Sequence, residues 1–265
     1  AIFDNYGRQI SPWADKIYKI GLINNKSDYY MVKKDDKKAI FHKDGRQLSD
    51  WFDDISFDGL VYGESEYYMA KKDGKVAIFN KDGIQISPWL DNTVSLNFLQ
   101  GQSDYFEGMK DGKYAIFNKD GIRISGWYDD KIYSRIHYGE SDYFGGKVRN
   151  KEAVFYKDGT QISEWFPTTY SSNITKDKGE YFSVVRNAKY SFDGFLEEDF
   201  LSEAIFDKDG NRITPWFDYI FSTEIARTNK SDFYKVSIKD KSNGNIIKEI
   251  IFNIDGVPVL SKERI

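Results

Sequence analysis

What most limits the folds open to this chain is its periodicity. Ala1-Ile2-Phe3, Ala39-Ile40-Phe41, Ala77-Ile78-Phe79, Ala115-Ile116-Phe117 and Ala153-Val154-Phe155 recur at a constant spacing of 38 residues. Self-similarity at that period is the mark of a repeat architecture, in which each unit buries its apolar face against its neighbours. The next copy, Ala204-Ile205-Phe206, comes 51 residues on, so the fifth unit carries 13 extra residues, placed at about 186–202. A partial copy at Ile250-Ile251-Phe252 follows after 46, an excess of eight placed at about 239–245. Both insertions read as loop extensions. The six tryptophans (Trp13, Trp51, Trp89, Trp127, Trp165, Trp216) keep one register, as do Gly7, Gly45, Gly83, Gly121, Gly159, Gly210 and Gly256. The chain thus reads as a single repeat domain, 1–265, with units at about 1–38, 39–76, 77–114, 115–152, 153–203 and 204–249 and a half unit at 250–265.

Each unit reads as four short strands. Tyr67 to Lys72 leads through Asp73-Gly74 into Val76 to Asn80, and Asp-Gly supplies the positive φ angles of a tight hairpin turn. A second turn at Lys81-Asp82-Gly83, with a bulge expected at the glycine, leads into Ile84 to Ser87 before Pro88-Trp89. A less regular fourth segment spans Thr93 to Leu99. Turn residues interrupt every window long enough for an amphipathic helix, so only Phe195 to Leu201 is expected to form a helical turn. The fold class is therefore all-β, with tandem four-stranded repeats. About 26 strands do not divide by four, which favours an open β-solenoid or superhelix over a closed six-bladed propeller.

The run Lys72-Asp73-Gly74-Lys75-Val76-Ala77-Ile78-Phe79-Asn80-Lys81-Asp82-Gly83, followed by Ile84, Ile86 and Trp89-Leu90-Asp91, resembles the bacterial WG (KWG) repeat. That repeat has a Lys-Asp-Gly-Lys hairpin, a second glycine turn and a later aromatic-Asp step; here Lys38, Val76 and Tyr114 stand where it usually has Trp-Gly. The resemblance implies a bacterial, generic binding or surface role and brings no catalytic residues. The order Phe, Asp-Gly, Trp is also similar, more distantly, to choline- and glucan-binding hairpin repeats, whose period is about half as long.

Composition removes several function classes. Zero cysteines exclude disulfides and thiolate chemistry, and no apolar run is long enough for a membrane helix. Ala1 to Asp4 lacks the basic start of a signal peptide; a secreted or cell-surface address is slightly favoured over a cytoplasmic one. The 38 Lys and Arg are interspersed among 42 Asp and Glu, so no basic stripe is offered to nucleic acid. No cofactor, metal or catalytic residue is assigned.

The candidate ligand-binding residues are the first members of six aromatic pairs: Tyr29, Tyr67, Tyr105, Tyr143, Tyr181 and Phe233. Pair neighbours point to opposite faces of a strand. The second members share a face with small or apolar residues such as Val32, Ala70 and Gly108 and read as core. The first members either line a groove suited to a glycan or extended peptide or pack against the adjoining repeat. The acids ahead of each pair, Asp28, Glu66, Asp104, Asp142, Glu180 and Asp232, are expected to accept hydrogen bonds from turn amides. The tryptophans read as packing plugs between units. His42 is expected on an exposed turn, His137 on the fourth strand, and Asp207 to Asn211 in a hairpin turn despite its likeness to a calcium loop. These features point to a non-catalytic binding or scaffold protein with a protein or glycan partner. The alternative is a glycan hydrolase built from the insertions at 186–202 and 239–245, with Arg186, Glu197, Glu198 and Asp199 as candidates.

Overall fold

The computed structural model describes residues 1–130, 135–170, 180–186, 189–190, 196–197, 202–216, 233–239, 245–253, 255 and 257–263. The chain divides into two compact units, Ala1–Trp127 with His137–Gly139, and Tyr128–Ile136 with Glu140–Ile265. Both are mostly β and are made of small antiparallel sheets.

In the first unit three sheets share one plan: Lys16–Tyr18, Tyr29–Lys34 and Lys37–His42; Asp54–Ser56, Tyr67–Lys72 and Lys75–Asn80; Asn92–Val94, Tyr105–Lys110 and Lys113–Asn118. The hairpin tip is a turn of the expected kind, with Asp73 at φ 51° and Gly74 at φ 77°. At the second turn Gly83 N–H donates to the Asn80 carbonyl (3.0 Å) with Gly83 at φ 81°, the glycine-bulge geometry read from the sequence.

The expectation of four strands per repeat needs correction. Each sheet of the first unit has three strands, and the segment after the second turn is held by two isolated bridges, Phe79 to Gln85 and Val76 to Leu90. Between them the backbone bows around a buried hydroxyl. Ile78 N–H donates to Ser87 Oγ (2.9 Å), which itself donates to the Pro88 carbonyl (2.9 Å). Ser49, Ser125, Ser163 and Thr214 repeat this pin. Beyond Leu90 the chain crosses directly into the next sheet, so each sheet of the first unit draws on two successive sequence copies.

The aromatic-Asp step now has a physical role. The Asp53, Asp91 and Asp129 carboxylates accept from the backbone N–H of Asp73 (2.8 Å), Asp111 (2.7 Å) and Arg149 (2.6 Å), fixing the tip of the following hairpin. Pro167 occupies the corresponding position ahead of the hairpin that carries the 13-residue insertion.

A second correction concerns helices. A single helical turn precedes the hairpin at Ile20–Ile23, Asp58–Tyr62 and Leu96–Leu99, with a 3-10 turn at Ile136–Tyr138. One turn is too short to show a 3.6-residue periodicity, which is why sequence pattern missed it. Gly63 (φ 72°) ends the second such turn, and a Cβ there would lie 2.1 Å from the Lys26 carbonyl oxygen of the preceding repeat. Leu196–Glu197, placed in the expected helical turn, instead pairs as a strand with Lys189–Tyr190; the rest of 195–201 lies outside the described residues.

In the second unit Tyr143–Val148 pairs with Lys151–Tyr156, and three-stranded sheets follow from Thr168–Tyr170, Tyr181–Arg186 and Ser202–Asp207, and from Phe233–Lys239, Ile246–Asn253 and Pro258–Glu263. Both insertions sit at hairpin tips. The first is closed by the pair Arg186 to Ser202, and the second lies between the strands ending at Lys239 and starting at Ile246.

The second aromatics Tyr30, Tyr68, Phe106, Phe144 and Phe182 are fully buried, each stacked on the Phe of the Ala-Ile/Val-Phe strand at 5.2 to 5.6 Å. The expectation of tryptophan plugs holds for the later copies but not for the first, since Trp13 is exposed while Trp51, Trp89, Trp127, Trp165 and Trp216 are half-buried. Trp89 touches Phe79 of its own repeat (6.1 Å) and Phe52 of the preceding one (6.2 Å), and Trp216 does the same with Phe206 and Phe166.

Candidate functional site

The hairpin bases carry the sequence candidates. Tyr29 starts a strand whose entry is fixed by Ser27: its hydroxyl accepts from Tyr29 N–H (3.2 Å) and donates to the Leu60 carbonyl of the next repeat (2.7 Å). Between these repeats lies an open recess of about 420 Å³, lined by Asp28, Tyr29, Ser65, Glu66 and Lys81 among others.

The recess has a fixed chemical composition. Glu66 and Lys81 form an ion pair, and Lys81 N–H donates to the Glu66 carbonyl (2.6 Å). Burial pushes the Tyr29 phenol above its ordinary value, and the nearby Lys81 charge opposes that rise. The same set recurs around Tyr67, with Lys119, Glu66 and Asp104, and around Tyr143, with Lys208, Asp209 and Glu180. Corresponding pairs are Lys43–Asp28 (3.0 Å), Lys119–Asp104 (3.5 Å), Lys157–Asp142 (2.9 Å) and Lys208–Glu180 (2.6 Å).

Asp28, Glu66, Asp104, Asp142 and Glu180 therefore do something other than expected: their carboxylates meet second-turn lysines, and amides at the strand entry are taken by the preceding serines, as at Ser103 and Ser141, while Asp232 lies outside the described residues. Those lysines escaped the sequence reading. The signal was present, because Asp28 to Lys43, Glu66 to Lys81, Asp104 to Lys119 and Asp142 to Lys157 are all 15 residues apart. His42 is half-buried rather than exposed, its ring edge-on to Tyr29 at 5.8 Å. His137 lies buried in the 3-10 turn, not on a strand.

The candidate rings are shared between packing and solvent. Tyr29 packs against the cluster containing Phe57 and Tyr68, Tyr67 lies 4.6 Å from Phe98, Tyr143 packs against the cluster of Val154 and Phe166, and Tyr181 against that of Ile205 and Val236. Tyr105 is half-buried and Phe233 is exposed.

Of the residues considered for hydrolysis, Arg186 closes the first insertion and lies over the Trp216 ring at 4.2 Å. Glu197 is on a short strand, and Glu198 and Asp199 lie outside the described residues. Asp207 accepts from the N–H groups of Asp209 (3.0 Å) and Asn211 (2.8 Å), which makes that segment a turn. Among the described residues no group of three or more His, Asp or Glu is arranged to hold a metal.

No family model and no curated protein matches this chain. Among solved structures it is similar to a eukaryotic initiation factor (10% identity, 95% of this chain and 88% of that one, TM-score 0.28). It is also similar to BamB from Moraxella catarrhalis (13%, 90% and 68%, TM-score 0.25) and to the C-terminal WD40 domain of Sif2 (10%, 86% and 76%, TM-score 0.26). These TM-scores are too low for any of the likenesses to carry an argument about this chain.

Proposed function

We propose that the protein is a non-catalytic binding scaffold that presents its hairpin-base edge to an extended partner, a protein or a glycan chain. The observation that carries this reading is the recurrence, at Tyr29, Tyr67 and Tyr143, of one half-buried tyrosine beside a lysine and a carboxylate, which at Tyr29 lines an open recess. Repetition spreads chemistry along a surface, which suits a polymer with its own repeat and not a single reacting bond. Tyrosine contributes a rigid apolar face with a polar tip, and the ion pair offers both a donor and an acceptor. In this reading the sheets follow one another as an open superhelix and not as a six-bladed ring, and the chain is a divergent relative of WG repeats.

The test must respect the packing of the rings. Tyr67→Ala removes an aromatic contact from Phe98 and would cost stability, so the informative variants are Tyr29→Phe and Tyr67→Phe combined with Lys81→Gln. Glycan-array and peptide-array binding of the full chain should fall with these substitutions while the thermal midpoint holds. Unchanged binding of every ligand found would refute the assignment.

A further inference from the structure

The hairpin tip at Val148 to Lys151 departs from its two predecessors. Lys-Asp-Gly-Lys at Lys72 to Lys75 and Lys110 to Lys113 becomes Val148-Arg149-Asn150-Lys151. In the first of these, Lys75 pairs with the Asp91 carboxylate 16 residues on (3.5 Å), as Lys37 pairs with Asp53. The residue 16 beyond Lys151 is Pro167, which has no charge to offer. Lys72, Asp73, Lys75 and Asp91 sum to zero charge, whereas Arg149 and Lys151 with Val148 and Pro167 sum to two positive charges. Both cations are exposed, and neither side chain forms an ion pair among the described residues. The adjacent Glu152 is already engaged, by Lys147 (3.7 Å) and by the Thr169 N–H (3.0 Å).

The change at the residue ahead of the tip has a second effect. In the other hairpins that a tryptophan follows, that residue is Lys34, Lys72, Lys110 or Arg186, and Arg186 lies over the ring of Trp216; the last hairpin, which no tryptophan follows, has Ile238. Here it is Val148. Val148, Arg149, Asn150, Lys151 and Trp165 enclose an open recess of about 660 Å³ whose accessible lining is almost wholly carbon. In this repeat, then, a half-buried tryptophan and a valine face a cavity, and the tip at its rim is two charges more positive than the Lys72 to Lys75 tip, with the Asp129 carboxylate held at the Arg149 N–H (2.6 Å) as Asp53 is at Asp73.

We propose that this tip is a docking site for an acidic peptide segment that inserts one aromatic or large aliphatic side chain against Trp165 and Val148 and sets its carboxylates against Arg149 and Lys151. Charge complementarity selects an anion. Trp165 and Val148 suit an apolar side chain, and a peptide supplies such a side chain and carboxylates together, which a neutral sugar does not. Trp and Arg together at a recess are the residues that concentrate binding energy at protein interfaces. The site rests on the scaffold reading but uses the hairpin tip instead of the base, so the two stand or fall separately.

The experiment uses the full chain and fluorescein-labelled, end-blocked decapeptides in which one Phe, Trp or Leu is flanked by four Asp or Glu, with matched sets carrying Ser in place of the acids or of the apolar residue. Anisotropy should show saturable binding of the acidic apolar set and about tenfold weaker binding of both matched sets. V148K/R149D/N150G restores the Lys-Asp-Gly tip of the two preceding hairpins, so it should fold with an unchanged thermal midpoint and lose binding. Arg149→Gln with Lys151→Gln should weaken binding about tenfold and flatten its salt dependence. The proposal is overturned by absence of binding in all sets, by equal binding to the restored-tip variant, or by binding of uronate oligosaccharides but no peptide. Capture of a ligand that is lost in Tyr67→Phe/Lys81→Gln but kept in the restored-tip variant would leave the scaffold reading standing and remove this one.

Discussion

Two glycines of one repeat, Gly74 and Gly83, separate the cost of a left-handed backbone from the cost of stacking repeats. Both have positive φ, 77° and 81°. A Cβ on Gly74 would meet nothing within 4 Å, whereas a Cβ on Gly83 would lie 1.8 Å from the carbonyl oxygen of Leu48 in the preceding repeat. For Gly74→Ala the left-handed conformation costs about 1–2 kcal/mol, offset by about 0.4–1 kcal/mol of lost unfolded-state entropy. The net loss should be near 1 kcal/mol. Gly83→Ala carries the same two contributions plus an overlap with backbone that cannot rotate away. Leu48 is held by its own N–H bond to the Ile40 carbonyl (2.9 Å), so relief requires the two repeats to part. Overpacking of this kind adds about 1–3 kcal/mol, and a displaced interface more.

The Gly83 variant should therefore be less stable than the Gly74 variant by about 2–4 kcal/mol, or roughly 10 °C in thermal midpoint for a chain of this size. Urea unfolding followed by far-ultraviolet circular dichroism and by tryptophan emission measures the difference, and both probes are needed because repeat arrays do not always unfold in one step. If the two variants agree to within about 0.5 kcal/mol, close inter-repeat approach is not what requires glycine at this register, and the stacking argument fails.

Two further outcomes follow from the hydrogen bonds. Ser87→Ala strips Ile78 N–H of its buried acceptor and should cost about 1–3 kcal/mol, while Ser87→Thr should be close to neutral, since Thr214 does the same task for Ile205; urea midpoints test both. Asp53 is held below the ordinary carboxylate range, first by its hydrogen bond from Lys37 and then by the Asp73 N–H. A lowered folded-state value means a contribution that is complete above about pH 4 and is lost as pH falls through that lower value. Asp53→Asn should thus be less stable than the parent at pH 7, with the gap closing toward pH 2; a gap independent of pH would show that the carboxylate charge is not what holds the tip.

Much of this architecture was legible because repeats amplify weak signals. One Asp-Gly or one buried serine means little, but Ser11, Ser49, Ser87, Ser125 and Ser163 in a single register mark a position where a hydroxyl is structurally required. The hairpins, both turns and the tryptophan plugs followed from local chemistry of this kind. The single helical turns were not legible, since four or five residues carry no periodicity. The tyrosine recess was half legible. The rings could be named, but the lysines beside them come from two sequence copies further on, and a residue 52 positions from Tyr29 announces no contact with it.

By itself the sequence determined the repeat, the strand pairing inside each hairpin and the core member of each aromatic pair, because these depend on neighbours within a few residues. Tertiary structure alone decided that the sheets built on the repeat hairpins span two sequence copies, that the paired acids meet lysines instead of amides, and that Trp165 faces an open recess where Trp216 is covered by Arg186. Those outcomes depend on which surfaces of successive repeats come into register, and that is set by backbone approach at glycines such as Gly63 and Gly83 and not by any residue's own preference.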